Sequence, residues 1–172
     1  EIDYFTAYTF SKDESKVLLT TKSQSIYRRS RLGEYYIYDF EDQSVTKVSE
    51  DMVQEPTFSP DGSKIAYAKD NNLYVKNLET GKVMQLTTDG EKNKIINGIT
   101  DWVYEEEFSF VRAFDWNEEG DQIAFIRFDE TDVPEFSMDV YGAKLYQEQQ
   151  VFKYPKAGEV NSKVSLHLYD LN

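Results

Sequence analysis

Phe58-Ser59-Pro60-Asp61-Gly62 runs almost directly into the apolar stretch Lys64-Ile65-Ala66-Tyr67-Ala68. The first half reads as a tight turn. Pro presets φ, Asp bonds its own backbone two residues on, and Gly accepts a positive φ at no steric cost. The second half reads as a short buried strand. The same unit recurs twice. Phe10-Ser11-Lys12-Asp13 leads into KVLLT, and Phe114-Asp115-Trp116-Asn117-Glu118-Glu119-Gly120 leads into QIAFI. Each apolar strand is followed by a second element, as in YYIYDF or LYVKNL. The copies stand roughly 50 residues apart, in the range of propeller blades.

Working outward, further short apolar runs lie between turn signals. Glu34 to Phe40, Leu73 to Val75 after an Asn71-Asn72 turn, Lys82 to Leu86 after Glu79-Thr80-Gly81, and Val164 to Tyr169 all read as strands. Strands of this length at such intervals imply an all-β chain. The expectation is a partial β-propeller of two to four four-stranded antiparallel blades, spanning 1–172. A blade cannot bury both faces alone, and three copies are too few to close a ring. The chain therefore reads as part of a longer protein, and its abrupt opening at Glu1-Ile2-Asp3-Tyr4 suits a trimmed upstream segment.

Two stretches break the pattern. Gly98 to Arg112 is long and aromatic, and Thr100 or Asp101 could cap a short helix over about 101–109, with Glu105 to Glu107 in its early turns. Pro134 to Lys156 lacks the turn signature but carries Phe136, Met138, Tyr141, Tyr146, Phe152 and Tyr154. An excursion of that length is functional or disordered, and its aromatic content argues against disorder.

Composition narrows the function classes. Aromatics make up 15% of the 172 residues, with 13 Tyr and 11 Phe, a mixture suited to pleated surfaces. The 19 Lys and Arg against 32 Asp and Glu leave a net charge of -13, which argues against a nucleic-acid or anionic-membrane partner. With no Cys, disulfides, thiolate nucleophiles and Cys-bound zinc are excluded. No apolar run of about 18 residues is present to span a membrane. The single His, His167, reads as an ordinary strand residue, and no GxSxG elbow accompanies it, so no catalytic triad is expected within the chain.

The run Glu105-Glu106-Glu107 is the sharpest candidate for chemistry. Three consecutive acids are ordinarily a solvated helix face. Here Trp102, Val103, Tyr104, Phe108 and Phe110 would partly desolvate them, and crowded carboxylates raise each other's pKa. A substrate ammonium, with three N–H donors, could bridge two of them. A Ca²⁺ ion would suit acids too, but no DxDxDG-type loop is present, and neither metal nor cofactor is expected. The second candidate is Tyr27-Arg28-Arg29-Ser30-Arg31. Pairing with nearby acids accounts for these Arg on sequence alone. A guanidinium gripping a peptide carbonyl or carboxylate is the functional alternative.

Four blocks, in order and at similar spacing, resemble the dipeptidyl peptidase IV family of serine exopeptidases. They are Phe58 to Gly62, Asn97 to Glu107 (NGITDWVYEEE), Asp129 to Pro134 (DETDVP) and Tyr154 to Asn161 (YPKAGEVN). The resemblance implies an eight-bladed propeller capping a C-terminal α/β-hydrolase domain that carries the catalytic Ser, Asp and His. It implies that Glu106 and Glu107 bind the free amine of a peptide substrate and that Arg28 contacts its carbonyl, although a one-residue slip would exchange Arg28 for Arg29. It further implies a homodimer contact through the 134–156 arm and release of Xaa-Pro or Xaa-Ala dipeptides. The expected location is extracytoplasmic, periplasmic or at the cell surface of a bacterium. The rivals are an inactive propeller that serves protein interaction, and a tripeptidyl or acylaminoacyl peptidase of the same fold.

Overall fold

A computed structural model describes residues 2–172; Glu1, where the expectation of a trimmed upstream segment begins, lies outside them. Three four-stranded antiparallel sheets follow one another along the chain. The first comprises β1 (Ala7–Phe10), β2 (Lys16–Ser25), β3 (Arg31–Asp39) and β4 (Val45–Lys47) in sequential order. The second repeats that meander with β5 (Gln54–Phe58), β6 (Lys64–Lys69), β7 (Asn72–Asn77) and β8 (Val83–Gln85). The third holds β9 (Ile95–Asn97), then a helical excursion with α1 (Trp102–Phe108), then β10 (Phe114–Trp116) and β11 (Gln122–Asp129). A separate hairpin, β12 (Glu135–Val140) with β13 (Glu148–Lys153), precedes β14 (Lys163–Asp170), which pairs with β11 and completes the third sheet. The chain is thus nearly all-β, with blade-like sheets and one short helix.

The repeated turn has one physical basis in all three sheets. Buried Ser59 donates to Asp61 at 2.5 Å and accepts from the Lys64 amide at 3.0 Å, while Gly62 takes φ +67°. Ser11 makes the same pair of bonds with Asp13 and the Lys16 amide. In the third copy Asn117 Oδ1 accepts from the Gln122 amide at 2.9 Å, and Gly120 takes φ +70°. A short polar side chain therefore staples the turn to the strand that follows it.

The KIAYA run is apolar at every central position because the middle sheet is covered on both sides. Alternate side chains point to opposite faces. Ile65 and Tyr67 join Leu18, Ile37, Val48 and Val53 against the first sheet. Ala66 and Ala68 join Leu73, Val75, Phe114, Ile123 and Phe128 against the third. Each fully buried Leu, Ile or Phe contributes about 1.5–3 kcal/mol by leaving water. The outward faces of the flanking sheets stay open: Tyr8 and Phe10 on one side, Leu166 and Leu168 on the other, are all exposed.

The third sheet's first strand is interrupted. β9 pairs with residues 127–129 and β10 with residues 123–125 of the same β11. Between them the chain leaves at Gly98, whose amide donates to Ile126 O at 3.0 Å, and returns at Ala113, whose amide donates to Gly98 O at 2.9 Å. Gly98 takes φ +75°, and an added Cβ would lie 2.4 Å from the Leu73 side chain, so only glycine allows this exit. A short ribbon, with the Thr100 amide donating to Val111 O at 3.0 Å, carries α1 clear of the sheet.

Candidate functional site

The helix starts where Asp101 caps it: its carboxylate accepts from the Tyr104 amide at 2.9 Å. Of the two caps the sequence allows, Asp101 is the one used. Ser109 ends the helix in the left-handed conformation. The seven-residue length corrects one expectation. Only Glu105 belongs to the first turn; Glu106 and Glu107 lie in the C-terminal half, where the helix dipole opposes negative charge.

The three acids have different environments. Glu105 is 1% exposed, and its Oε1 accepts from the backbone amides of Arg29 at 2.7 Å and Ser30 at 2.9 Å. Glu106 is half-buried and pairs with Arg28, Oε2 to Nε 3.1 Å. Glu107 is exposed and makes no hydrogen bond or ion pair among the described residues. The partial desolvation expected of the aromatic neighbours falls unevenly on the run. Tyr104 turns inward onto Phe128, ring centroids 4.9 Å apart, whereas Phe108 is mostly exposed and shields little.

The Arg-rich stretch forms the loop between β2 and β3. Its own bonds are few: Ile26 N to Ser30 O at 2.9 Å and Tyr27 N to Ser30 Oγ at 3.2 Å. Arg28 and Arg29 both reach α1. Arg28 meets Glu106, while Arg29 donates to Ser109 Oγ at 2.9 Å. The two Arg thus have distinct partners, and the one facing the acids is Arg28. Its side chain is 71% exposed, so the ion pair is a surface pair worth about 0–1 kcal/mol and is readily exchanged for another partner.

An aromatic cluster binds loop, helix and hairpin into one unit. Phe152 of β13 lies 5.8 Å from Tyr27 and 6.0 Å from Trp102, and Tyr154 lies 4.6 Å from Trp102. The hairpin is therefore anchored at its base, while Tyr141, Leu145 and Tyr146 near its tip are exposed. Beside this cluster is a cleft of about 410 Å³ lined by Tyr27, Asp101, Glu130 and Lys153. Glu130 is 6% exposed, and burial together with the Asp101 charge pushes its carboxyl up to about 7, Lys153 acting in the opposite sense. Burial and the charges of Glu130, Glu105 and Asp101 push the Tyr27 phenol up to about 12.

Two acids near the site escaped the sequence reading. Glu130 sits in the DETDVP block as an unremarkable polar residue. Glu55 lies in a bulge of β5 with φ +53°; burial pushes its carboxyl up, Arg112 holds it down, and Glu105 adds to the upward push. Its sequence setting, Gln54-Glu55-Pro56-Thr57, carries no signal of that burial. His167 stacks on Phe125 at 5.3 Å and contacts Ser165 Oγ through Nε2 at 2.8 Å on an exposed strand, and no acid among the described residues completes a triad with them. Among the described residues no group of three or more His, Cys, Asp or Glu is placed to hold a metal ion, and no helix is long and apolar enough to cross a membrane.

Residues 11–172 match the family described as "Dipeptidyl peptidase IV (DPP IV) N-terminal region". The chain belongs to that family. The dipeptidyl peptidase IV relationship extends to a solved structure, the crystal structure of Porphyromonas gingivalis dipeptidyl peptidase 4. It is 45% identical with a TM-score of 0.92 and covers 97% of this chain and 24% of its own. The probable dipeptidyl-aminopeptidase B of Chaetomium globosum is 37% identical over 94% of this chain and 19% of its own length. That of Trichophyton verrucosum is 39% identical over 94% and 20%. The chain thus spans about a fifth of these dipeptidyl-aminopeptidases, and its blade-like sheets are those of a dipeptidyl peptidase IV propeller.

Proposed function

We propose that this chain is the substrate-recognition part of a serine exopeptidase that releases Xaa-Pro or Xaa-Ala dipeptides from peptides with a free amino terminus. Glu106 and Glu107 hold the protonated amine, and Arg28 steadies the substrate carbonyl. The observation that carries this reading is the pairing of an exposed Arg28 with Glu106 next to an open Glu107. Two carboxylates on the unfavourable half of a two-turn helix do not help that helix form. Their charge suits a bound ammonium, and each contact at 4 Å is worth about 4 kcal/mol at an effective dielectric near 20, before desolvation. A blocked amine would lose these contacts and leave the acids unpaired, so the site measures distance from a free terminus.

The catalytic Ser, Asp and His belong, in this reading, to a C-terminal hydrolase domain of the same protein. The open apolar faces of the outer sheets are suited to further blades, since patches of this kind otherwise promote association. The 134–156 hairpin joins two copies, and the protein works outside the cytoplasm, in the periplasm or at the cell surface of a bacterium. The test replaces Glu106 and Glu107 singly by Gln in the full-length protein. The expected loss in kcat/KM on a free-amine dipeptide substrate is about 30-fold or more. The melting midpoint should hold or rise slightly as like-charge repulsion is relieved. Near-normal kcat/KM in both variants would overturn the amine clamp.

A further inference from the structure

Glu105 is the one acid of the run that no substrate can reach, and among the described residues the hydrogen bonds between α1 and the backbone of the β2–β3 loop all pass through it. Two successive amides, those of Arg29 and Ser30, converge on Oε1 at 2.7 and 2.9 Å. Successive backbone N–H groups aimed at one point form an anion-binding concavity, filled here by the protein's own carboxylate. The bonds are charge-assisted and buried, hence among the stronger single contacts a loop can make. They also join residues 75 and 76 apart in sequence, on the first and third sheets. No other hydrogen bond among the described residues ties the loop backbone to the helix. Arg28, between Tyr27 and these two amides, has its guanidinium largely in solvent, and its surface pair with Glu106 is too weak to position it.

We propose that Glu105 is a positioning residue: its buried carboxylate clamps the Arg29 and Ser30 amides to α1 and so places Arg28 beside Glu106. The kinetic consequence rests on the function proposed above, whereas the clamp itself does not. Misplacing a substrate-contacting group by about 1 Å can cost up to about 100-fold in rate. Reach, more than charge, should matter. Gln keeps an oxygen at the same distance, Asp withdraws the carboxylate by one methylene, and Ala removes it.

The experiment uses the full-length protein with Glu105→Ala, Glu105→Asp, Glu105→Gln, Arg28→Ala and the double variant Glu105→Ala/Arg28→Ala. Hydrogen exchange of residues 26–31 reads the clamp without reference to activity. Glu105→Ala and Glu105→Asp should speed exchange of the Arg29 and Ser30 amides at least about tenfold while β2 and β3 keep their protection, and Glu105→Gln should restore most of it. On a chromogenic Xaa-Pro substrate the Ala and Asp variants should lose about 10- to 100-fold in kcat/KM. The double variant should be no worse than Arg28→Ala, because both changes remove the same placed guanidinium. If Glu105→Ala does not fold, Glu105→Asp, which leaves a smaller void, carries both arms. Unchanged exchange in Glu105→Asp, or a double variant whose loss is the product of the two single losses, would overturn the proposal. Full activity of Arg28→Ala would instead overturn the role given to Arg28 in substrate binding, and the exchange arm would still decide the clamp.

Discussion

Replacing Glu130 by Gln should stabilise the protein at alkaline pH and hardly at all at acidic pH. Burial and the Asp101 charge raise the Glu130 carboxyl from 4.5 to about 7. A carboxyl with a raised folded pKa loses its proton later in the folded state than in the unfolded chain. As pH climbs from about 4.5 to about 7, the folded state therefore holds more protons, and stability falls. Above 7 both states are ionised and the penalty is constant. At about 1.4 kcal/mol per pH unit, the gap between 4.5 and about 7 amounts to about 3 kcal/mol. Water entering the adjoining cleft reduces this to about 2 kcal/mol or somewhat more. At pH 5 most of the penalty has not yet developed, and less than about 1 kcal/mol separates the variant from the parent. Gln matches the shape of the protonated acid, and the Glu130 side chain makes no hydrogen bond among the described residues that Gln would break. For a chain of this size the difference corresponds to a melting midpoint about 4–8 °C higher at pH 8. Thermal unfolding of both proteins at half-unit steps from pH 5 to pH 8 measures it. Parallel curves across that window, or a variant less stable than the parent at pH 8, would refute the assignment of a strained, ionised Glu130.

Two other outcomes follow from geometry. Gly98→Ala places a Cβ at φ +75° and 2.4 Å from Leu73, so it should cost at least about 2 kcal/mol, seen as a lower denaturant midpoint at unchanged slope. Removing residues 137–149 at the tip of the hairpin, while keeping Phe152 and Tyr154 against Trp102, should leave the melting midpoint intact. It should also halve the mass of the full-length protein in light scattering; an unchanged mass would show that the arm does not join subunits.

The all-β class, the turn-and-strand repeat and the central strands of each sheet were legible in the sequence because they are local, whereas β4, β9 and the hairpin strands β12 and β13 carried no such signature. A Ser or Asn stapling its own turn, a Gly at positive φ and an alternating buried face all act within about ten residues. The helix was legible for the same reason, since its Asp101 cap lies three residues from the amide it satisfies. The site was legible only as a pair of unconnected runs. EEE and RRS lie about 75 residues apart, and nothing in either says that Glu105 reaches the loop amides while Glu106 meets Arg28. The split of β9 and β10 around Gly98 was visible only as a break in the pattern, because both pieces share one partner strand, β11, that comes later in the chain. Burial separated the roles of three identical residues in sequence: Glu105 turned inward, Glu106 half-covered, Glu107 in water. It also raised the Glu130 carboxyl, since desolvation depends on what packs around a group rather than on its neighbours along the chain. Local steric and hydrogen-bonding preferences are written in the sequence; which charges lose water, and which meet, is determined by the packing of one sheet against the next.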